Sequence, residues 1–378
     1  MAFLEAGTDV FVIGAGPSGL AAAIAARRKG LTVTVADGAE PLIDKPCGEG
    51  LMPGTQTALA ELGVEVGCAH GHRFKGVSLL EDGRQVTSDF PDGLGIGIRR
   101  TLLHELLINE SEKCGVNLLW KTAVMGIDQN GVRLNRGAVK ASWIIGADGA
   151  HSRVRQWANL DHTLLYTRRF ACRRHFRMRP WTEYLQIYWG RATQAYVTPV
   201  SDEEVCVVTM GESPREADFD RVLETLPQLE ERLVGRRRTS RERGTITAMH
   251  KLGRVWRGNV ALVGDASGGV DAVTGEGLRL AFRQANALAE SLSARDLNAY
   301  GQFHRRLLRR PLQMGAMMLF LGRHDRLRSH MFRMLGYRPD LFARLLAAHA
   351  GHTPILEAVS AGARLGWRFP VGGGSVRG

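Results

Sequence analysis

Glycines 14, 16 and 19 stand directly behind a short β-rich run, Asp9 to Ile13. That spacing suits a pyrophosphate. The first glycine lets the chain turn sharply out of a strand. The second removes a Cβ from the path of the phosphates, and the third lets strand and helix pack closely. The alanine-rich stretch from Leu20 reads as a helix ended by Gly30. Its N-terminal N–H groups would face the anion. Asp37 ends the next apolar run, 18 residues after Gly19, where a carboxylate can accept hydrogen bonds from ribose hydroxyls. The chemistry expected is dinucleotide binding.

Two further strand ends carry related residues. "GADGAHSRVR" places Asp148 and Gly149 behind a buried apolar run. "VALVGDASGGVDAVTGEGL" places Gly264 and Asp265 behind another, and its Gly275 and Gly277 open a helix whose N-terminus can face an anion or a polarised carbonyl. Each alone is turn chemistry. Turn chemistry accounts poorly for all three in this order. A fourth stretch, "KPCGEGLMPG", holds Lys45, Cys47 and Gly48. A reactive thiolate wants nearby cations or a helix N-terminus. Lys45 is close, but no histidine or second cysteine is near in sequence, so Cys47 reads as a packing residue.

These residues need a frame. Strand, glycine turn, helix and strand at the N-terminus form a βαβ unit and point to a parallel sheet. Phe74 to Phe90 alternates around an Asp-Gly turn and reads as a hairpin. An Asn-Gly turn is expected at 130–131, and a single helix over 218–235. From about 160 to 250 the texture changes to broad, aromatic antiparallel strands. Alternation sets Tyr184, Gln186 and Tyr188 on one face of a strand and Leu185, Ile187 and Trp189 on the other. Beyond Tyr300 the chain reads as helical and arginine-rich.

At 378 residues, two sub-domains are expected rather than one core. Lys plus Arg exceed Asp plus Glu by 50 to 38, for a net charge of +12. That balance suits a soluble protein of basic composition. It also suits attraction to a nicotinamide phosphate, a phosphopantetheine-linked substrate, acidic lipid or nucleic acid. The five scattered cysteines show neither disulfide-scaffold nor metal-ligand spacing, and no metal is expected. The N-terminus lacks a basic leader segment and "MGAMMLFLG" is too short to span a bilayer, so a reduced, cytoplasmic protein is expected. The glycine-rich tail "VGGGSVRG" reads as mobile.

The ordered set GxGxxG, Asp37, "GADGAHSRVR" and "VGDASG" followed by "TGEGL" resembles the FAD-dependent p-hydroxybenzoate hydroxylase-like superfamily over residues 8–300. The superfamily includes aromatic monooxygenases, geranylgeranyl-reductase-type enzymes and flavin halogenases. The resemblance implies an α/β fold with a Rossmann-type FAD domain built from 1–72, 95–160 and 250–300. It implies a β-rich substrate domain from 73–94 and 161–249, and a basic helical extension over 301–378. Gly14, Gly16, Pro17, Ser18 and Gly19 would hold the FAD pyrophosphate, and Asp37 with Gly38 the adenosine side. Arg100, beside Arg99, would lie near the phosphates, and Val124 would pass the adenine. Asp148 and Gly149 belong to a motif linked with FAD and the nicotinamide cofactor. Gly264 and Asp265 would meet the ribityl–pyrophosphate part, and Gly275, Gly277 and Leu278 the isoalloxazine. The loop with Lys45, Cys47 and Gly48 would pass over the cofactor. Two positions depart from the pattern: Ala272 stands where proline is common, and Gly38 where arginine is common.

The activity implied first is hydroxylation of a phenolic or polyketide-like small molecule, with NADH or NADPH as reductant, through a flavin C4a-hydroperoxide. The second is a geranylgeranyl-reductase type of double-bond reduction on a prenyl or lipid substrate, which "PCGEG" and "TGEGL" favour. Flavin-dependent halogenation ranks third, because "QAYVTPV" lacks the two tryptophans of the halogenase stretch. Tyr184, Tyr188 and Tyr196 are the expected substrate-facing residues. His175 reads as a surface or packing residue rather than a base, and no catalytic side chain stands out. The basic runs offer a surface for an acidic carrier protein bearing the substrate, or for peripheral contact with an anionic membrane. No nucleic-acid motif is present.

Overall fold

The computed structural model describes residues 7–128 and 131–351; the glycine-rich tail, the last part of the C-terminal extension and Asn130 of the expected turn lie outside them. The first large sheet has six strands. Their order is Trp256–Arg257, Val260–Leu262, Ala141–Gly146, Thr8–Ile13, Val33–Ala36 and Asn117–Leu119. Every neighbouring pair is parallel except the first. Val10, Phe11 and Val12 are all fully buried, as befits strands covered on both faces. The covering helices include α1 (Pro17–Arg28), α2 (Arg100–Lys113) and α3 (Gly277–Ser293), and α1 packs on both of the others. The alanines of α1 allow that close approach.

The second sheet has seven strands. It runs Arg243–Leu252, Thr163–Arg177, Glu204–Gly211, Thr193–Ser201, Leu185–Trp189, Gly76–Glu81 and Arg84–Asp89. The expected hairpin at 74–90 forms its last two strands. One face packs Tyr188, Val197 and Val207 under Phe219, Val222 and Leu229. Those three residues come from two short helices, Phe219–Glu224 and Pro227–Leu233, where the sequence suggested one. Pro227 has no N–H to continue a helix and clashes with its preceding turn, so the helix breaks there and restarts with the proline in its first turn.

The other face meets the C-terminal helices α4 (Leu297–Arg323), α5 (Asp325–Tyr337) and α6 (Pro339–Ala350). Asp296 starts α4 by accepting hydrogen bonds from the Asn298 and Ala299 N–H groups. Phe332, Leu335, Phe342 and Leu346 then pack toward Ile187, Trp189, Val208 and Met210. Among the described residues no helix is long and apolar enough to cross a membrane.

Candidate functional site

The ends of the parallel strands converge. A Cβ on Gly14 would lie 2.6 Å from the Ala147 carbonyl oxygen, and one on Gly19 would lie 1.8 Å from that of Gly14. These glycines are there because backbone already fills the space. Gly264, at the strand end of the third motif, is crowded by a side chain instead: a Cβ there would lie 2.1 Å from the Ser18 Oγ. The three motifs, far apart in sequence, therefore share one small region.

Gly16, Gly48 and Gly277 behave differently. A Cβ on any of them would meet nothing within 4 Å. Gly16 and Gly277 also sit at the N-termini of α1 and α3, and neither helix has a side-chain cap. The N-termini of both helices thus face open space, with the positive ends of two helix dipoles behind them. An anionic, extended cofactor fits that cradle.

Beside it lies a cavity of about 420 Å³. Pro17, Ser18, Lys45, Cys47, Gly48, Arg100, Asp265, Gly275, Gly277 and Leu278 line its motif side. The remaining wall is mostly carbon and sulfur, including Leu79, Ile187, Trp189, Met210, Met318 and Phe342. The strand alternation is as expected, and the face turned to the cavity is that of Leu185, Ile187 and Trp189.

Two of the three expected substrate tyrosines therefore need correction. Tyr188 lies on the opposite face, donating to Gln186 Oε1 at 2.9 Å beneath the short helices. Tyr184, on that same opposite face, donates to Asp89 at 2.9 Å, away from the cavity. Only Tyr196 lines the cavity; it comes from the next strand, and its hydroxyl donates to Gln194 Oε1 at 3.3 Å. Burial pushes its phenol pKa up, so it stays protonated. Gln194 Oε1 also accepts from Arg169 Nη2 at 2.9 Å, and Arg169 pairs with the fully buried Asp271.

Asp37, Gly38, Val124, Asp148 and Gly149 lie outside the cavity lining. Asp37 accepts from the Ala15 and Ala39 N–H groups, both at 2.8 Å, so it shapes the glycine turn. Gly38 follows it in open space, and Val124 is half-buried on the Val124–Asp128 strand. Asp148 does not face the cavity with a free carboxylate. It accepts from the Arg153 N–H at 2.7 Å, the Val154 N–H at 3.2 Å and the Ser152 hydroxyl, and so caps the short helix Arg153–Trp157. Gly149 supplies a left-handed turn with φ +84° beside Lys45. Arg100 lines the cavity, while its neighbour Arg99 turns to Glu204 at 3.4 Å.

The sequence reading passed over Glu49. It sits in the Lys45–Gly54 loop with φ +58° and is almost fully buried. Cys47 Sγ accepts from the Glu49 N–H at 3.4 Å, closing the turn. Glu49 Oε1 accepts from the Arg100 N–H at 3.0 Å and Arg173 Nη1 at 3.1 Å. Glu49 Oε2 pairs with His175 Nε2 at 2.7 Å. Arg173 also grips Asp44 through two bonds at 2.8 and 2.9 Å. Strand alternation puts Arg173 and His175 on one face, and both reach the loop. Donor atoms of Glu49, His175 and Cys206 lie within 4.8 Å of one another. Arg173 already supplies the positive charge there, and burial keeps the Cys206 thiol protonated. The cluster is a clamp on the loop. Its signal in the sequence was a carboxylate between two glycines and a "CRRH" strand.

A parallel sheet with uncapped helix N-termini at its glycine turns, facing an apolar cavity under a second sheet, defines a flavoprotein oxidoreductase. The chain belongs to the FAD binding domain family, whose model matches residues 7–301, and is an FAD-dependent oxidoreductase. It is 29% identical over 321 residues to a menaquinone reductase of Mycobacterium tuberculosis (strain ATCC 25618 / H37Rv), covering 76% of this chain and 77% of that one. It is 33% identical over 174 residues to 6-methylpretetramide 4-monooxygenase of Streptomyces rimosus, covering 41% of each. A flavoprotein/dehydrogenase from Cytophaga hutchinsonii shares the fold, with a TM-score of 0.79 and 17% identity over 95% of this chain and 99% of that one.

Proposed function

We propose that this enzyme hydroxylates an apolar small molecule, phenolic or polyketide-like, with FAD as cofactor and NADH or NADPH as reductant. The observation that carries the reading is the cavity wall, which joins the flavin motifs to a lining of aliphatic, methionine and aromatic side chains with one phenol, Tyr196. Such a wall accepts a ring system and excludes water from the reacting atoms.

FAD would be held by the N-termini of α1 and α3, by the turns at Gly14–Gly19, Asp37 and Asp265, and by the clamped Lys45–Gly50 loop. When bound, it supplies the two-electron chemistry. The chain's own residues do the rest. The α3 N-terminus offers N–H groups to developing negative charge. Lys45 and Arg100 add positive charge on the motif side of the cavity. Gln194, fixed by Arg169, holds the Tyr196 hydroxyl in place beside the substrate. The seven-stranded sheet, with α4–α6 over it, forms the substrate side.

A second reading is reduction of a double bond in a prenyl or lipid substrate. It is favoured by the extent of the match to menaquinone reductase and by the scarcity of ionisable groups on the sheet side of the cavity.

One experiment separates the two. The purified yellow protein is incubated with NAD(P)H and labelled dioxygen across a panel of phenols and prenyl lipids. A labelled oxygen atom in the product supports hydroxylation. Gain of two hydrogens with no oxygen consumed transfers the assignment to reduction. A chain that never retains FAD overturns both.

A further inference from the structure

The helices that wall the cavity have a second, outward side. Phe320 on α4 is 51% exposed, Leu327 on α5 is 45% exposed and Tyr337 at its end is 78% exposed. Of the nine large apolar residues exposed among the described residues, these three fall within 18 positions. They stand in a field of arginine. From Leu297 to Ala350 there are ten arginines and two acids, Asp325 and Asp340, a net of +8 by subtraction. Arg323, Arg328 and Arg338 are paired with carboxylates. Arg326 and Arg333, which bracket the exposed turn of α5, are exposed and make no salt bridge within the described residues.

The chemistry of this face selects its partner. Bulky apolar side chains set among unpaired arginines suit the headgroup boundary of an anionic bilayer, where rings and alkyl groups enter the acyl edge and guanidinium groups meet phosphates. A second copy of the chain would bring the same +8 against itself. An acidic protein would answer the charge but not the exposed phenylalanine and leucine.

We propose that the α4–α5 face docks on an anionic lipid surface, with Phe320, Leu327 and Tyr337 inserted and Arg326 and Arg333 on lipid phosphates. The inner sides of the same helices line the cavity with Met318, Leu321, Met331 and Leu335. The enzyme therefore works at the membrane surface and takes its substrate from the bilayer. This last step rests on the apolar substrate proposed above; the docking does not.

Flotation of the FAD-loaded, full-length protein tests the docking. Vesicles of phosphatidylcholine with phosphatidylglycerol are compared with phosphatidylcholine alone, at low and high salt. Binding to the anionic vesicles that salt weakens is expected. The serine variant Phe320→Ser, Leu327→Ser and Tyr337→Ser together should cut binding by roughly tenfold or more while FAD content and melting temperature stay unchanged. The pair Arg326→Glu and Arg333→Glu should do the same through charge. Absence of binding to either vesicle overturns the proposal, as does binding that the serine variant retains in full. Tight binding of an acidic carrier protein that displaces the vesicles also overturns it. Docking that persists when the enzyme turns over only water-soluble compounds would sink the substrate reading and leave the docking intact.

Discussion

His175 Nε2 and Glu49 Oε2 stand 2.7 Å apart with neither side chain reaching solvent, and their pairing fastens the loop at the flavin motifs to the substrate sheet. Arg173 completes the clamp from the same strand. Breaking one partner of a buried ionic cluster leaves the others uncompensated, which costs about 3–5 kcal/mol. Glu49→Ala should lower the melting temperature and release FAD. Glu49→Gln, which keeps size and one acceptor, should fall between. Thermal melts followed by flavin fluorescence measure both, and an alanine variant that melts with the parent refutes the clamp.

Two glycines of one motif should fail in different ways. Gly19→Ala drives a methyl group into the Gly14 carbonyl, so the variant should misfold or lose much of its stability. Gly16→Ala meets only open space, so it should fold with unchanged circular dichroism yet bind FAD weakly. Equal FAD content in the parent and the Gly16→Ala protein would remove the cradle assigned to α1.

The cavity wall sets substrate size. Ile187→Phe adds volume from the sheet side, at an overpacking cost of about 1–3 kcal/mol. FAD content should hold while KM for the bulkiest substrate rises roughly tenfold and that for the smallest changes little. Steady-state kinetics across a size series read this directly. A uniform change in kcat for all substrates would place Ile187 outside the binding wall.

His304 gives stability a pH dependence. Burial lowers its pKa to about 4, from an ordinary 6.5, and its Nε2 lies 2.9 Å from the Ser267 hydroxyl. The unfolded chain takes up a proton near 6.5 while the folded chain does not until near 4. Stability contributed at this site is therefore intact above 6.5 and is lost as pH falls from there toward 4, by roughly 3 kcal/mol at most. Chemical denaturation at a series of pH values should show that slope, and His304→Gln should flatten it. An identical slope in the variant would assign the effect elsewhere.

Much of the frame was legible because its signals are local. Glycine spacing, acids at strand ends and the switch from helical to alternating periodicity each need only a few neighbouring residues, and they located the parallel sheet, the hairpin and the three motifs. Pro227 was equally local and was overlooked as a helix break. Alternation also sorted Tyr184 and Tyr188 from Ile187 and Trp189. It could not say which set faces the cavity, because both faces of that sheet are covered: one by Phe219 and Val222, the other by Phe332 and Phe342. Asp148 looked like a ligand because a strand-end aspartate can bind a hydroxyl or cap a helix; only the helix at Arg153 decides between them. Glu49 and Arg173 are 124 positions apart, and no residue near either announces the other. Local patterns along the chain were enough for a dinucleotide fold and the stations along it. The tertiary structure alone decided what those stations surround, since burial and charge pairing between distant strands exist only once the two sheets have closed on each other.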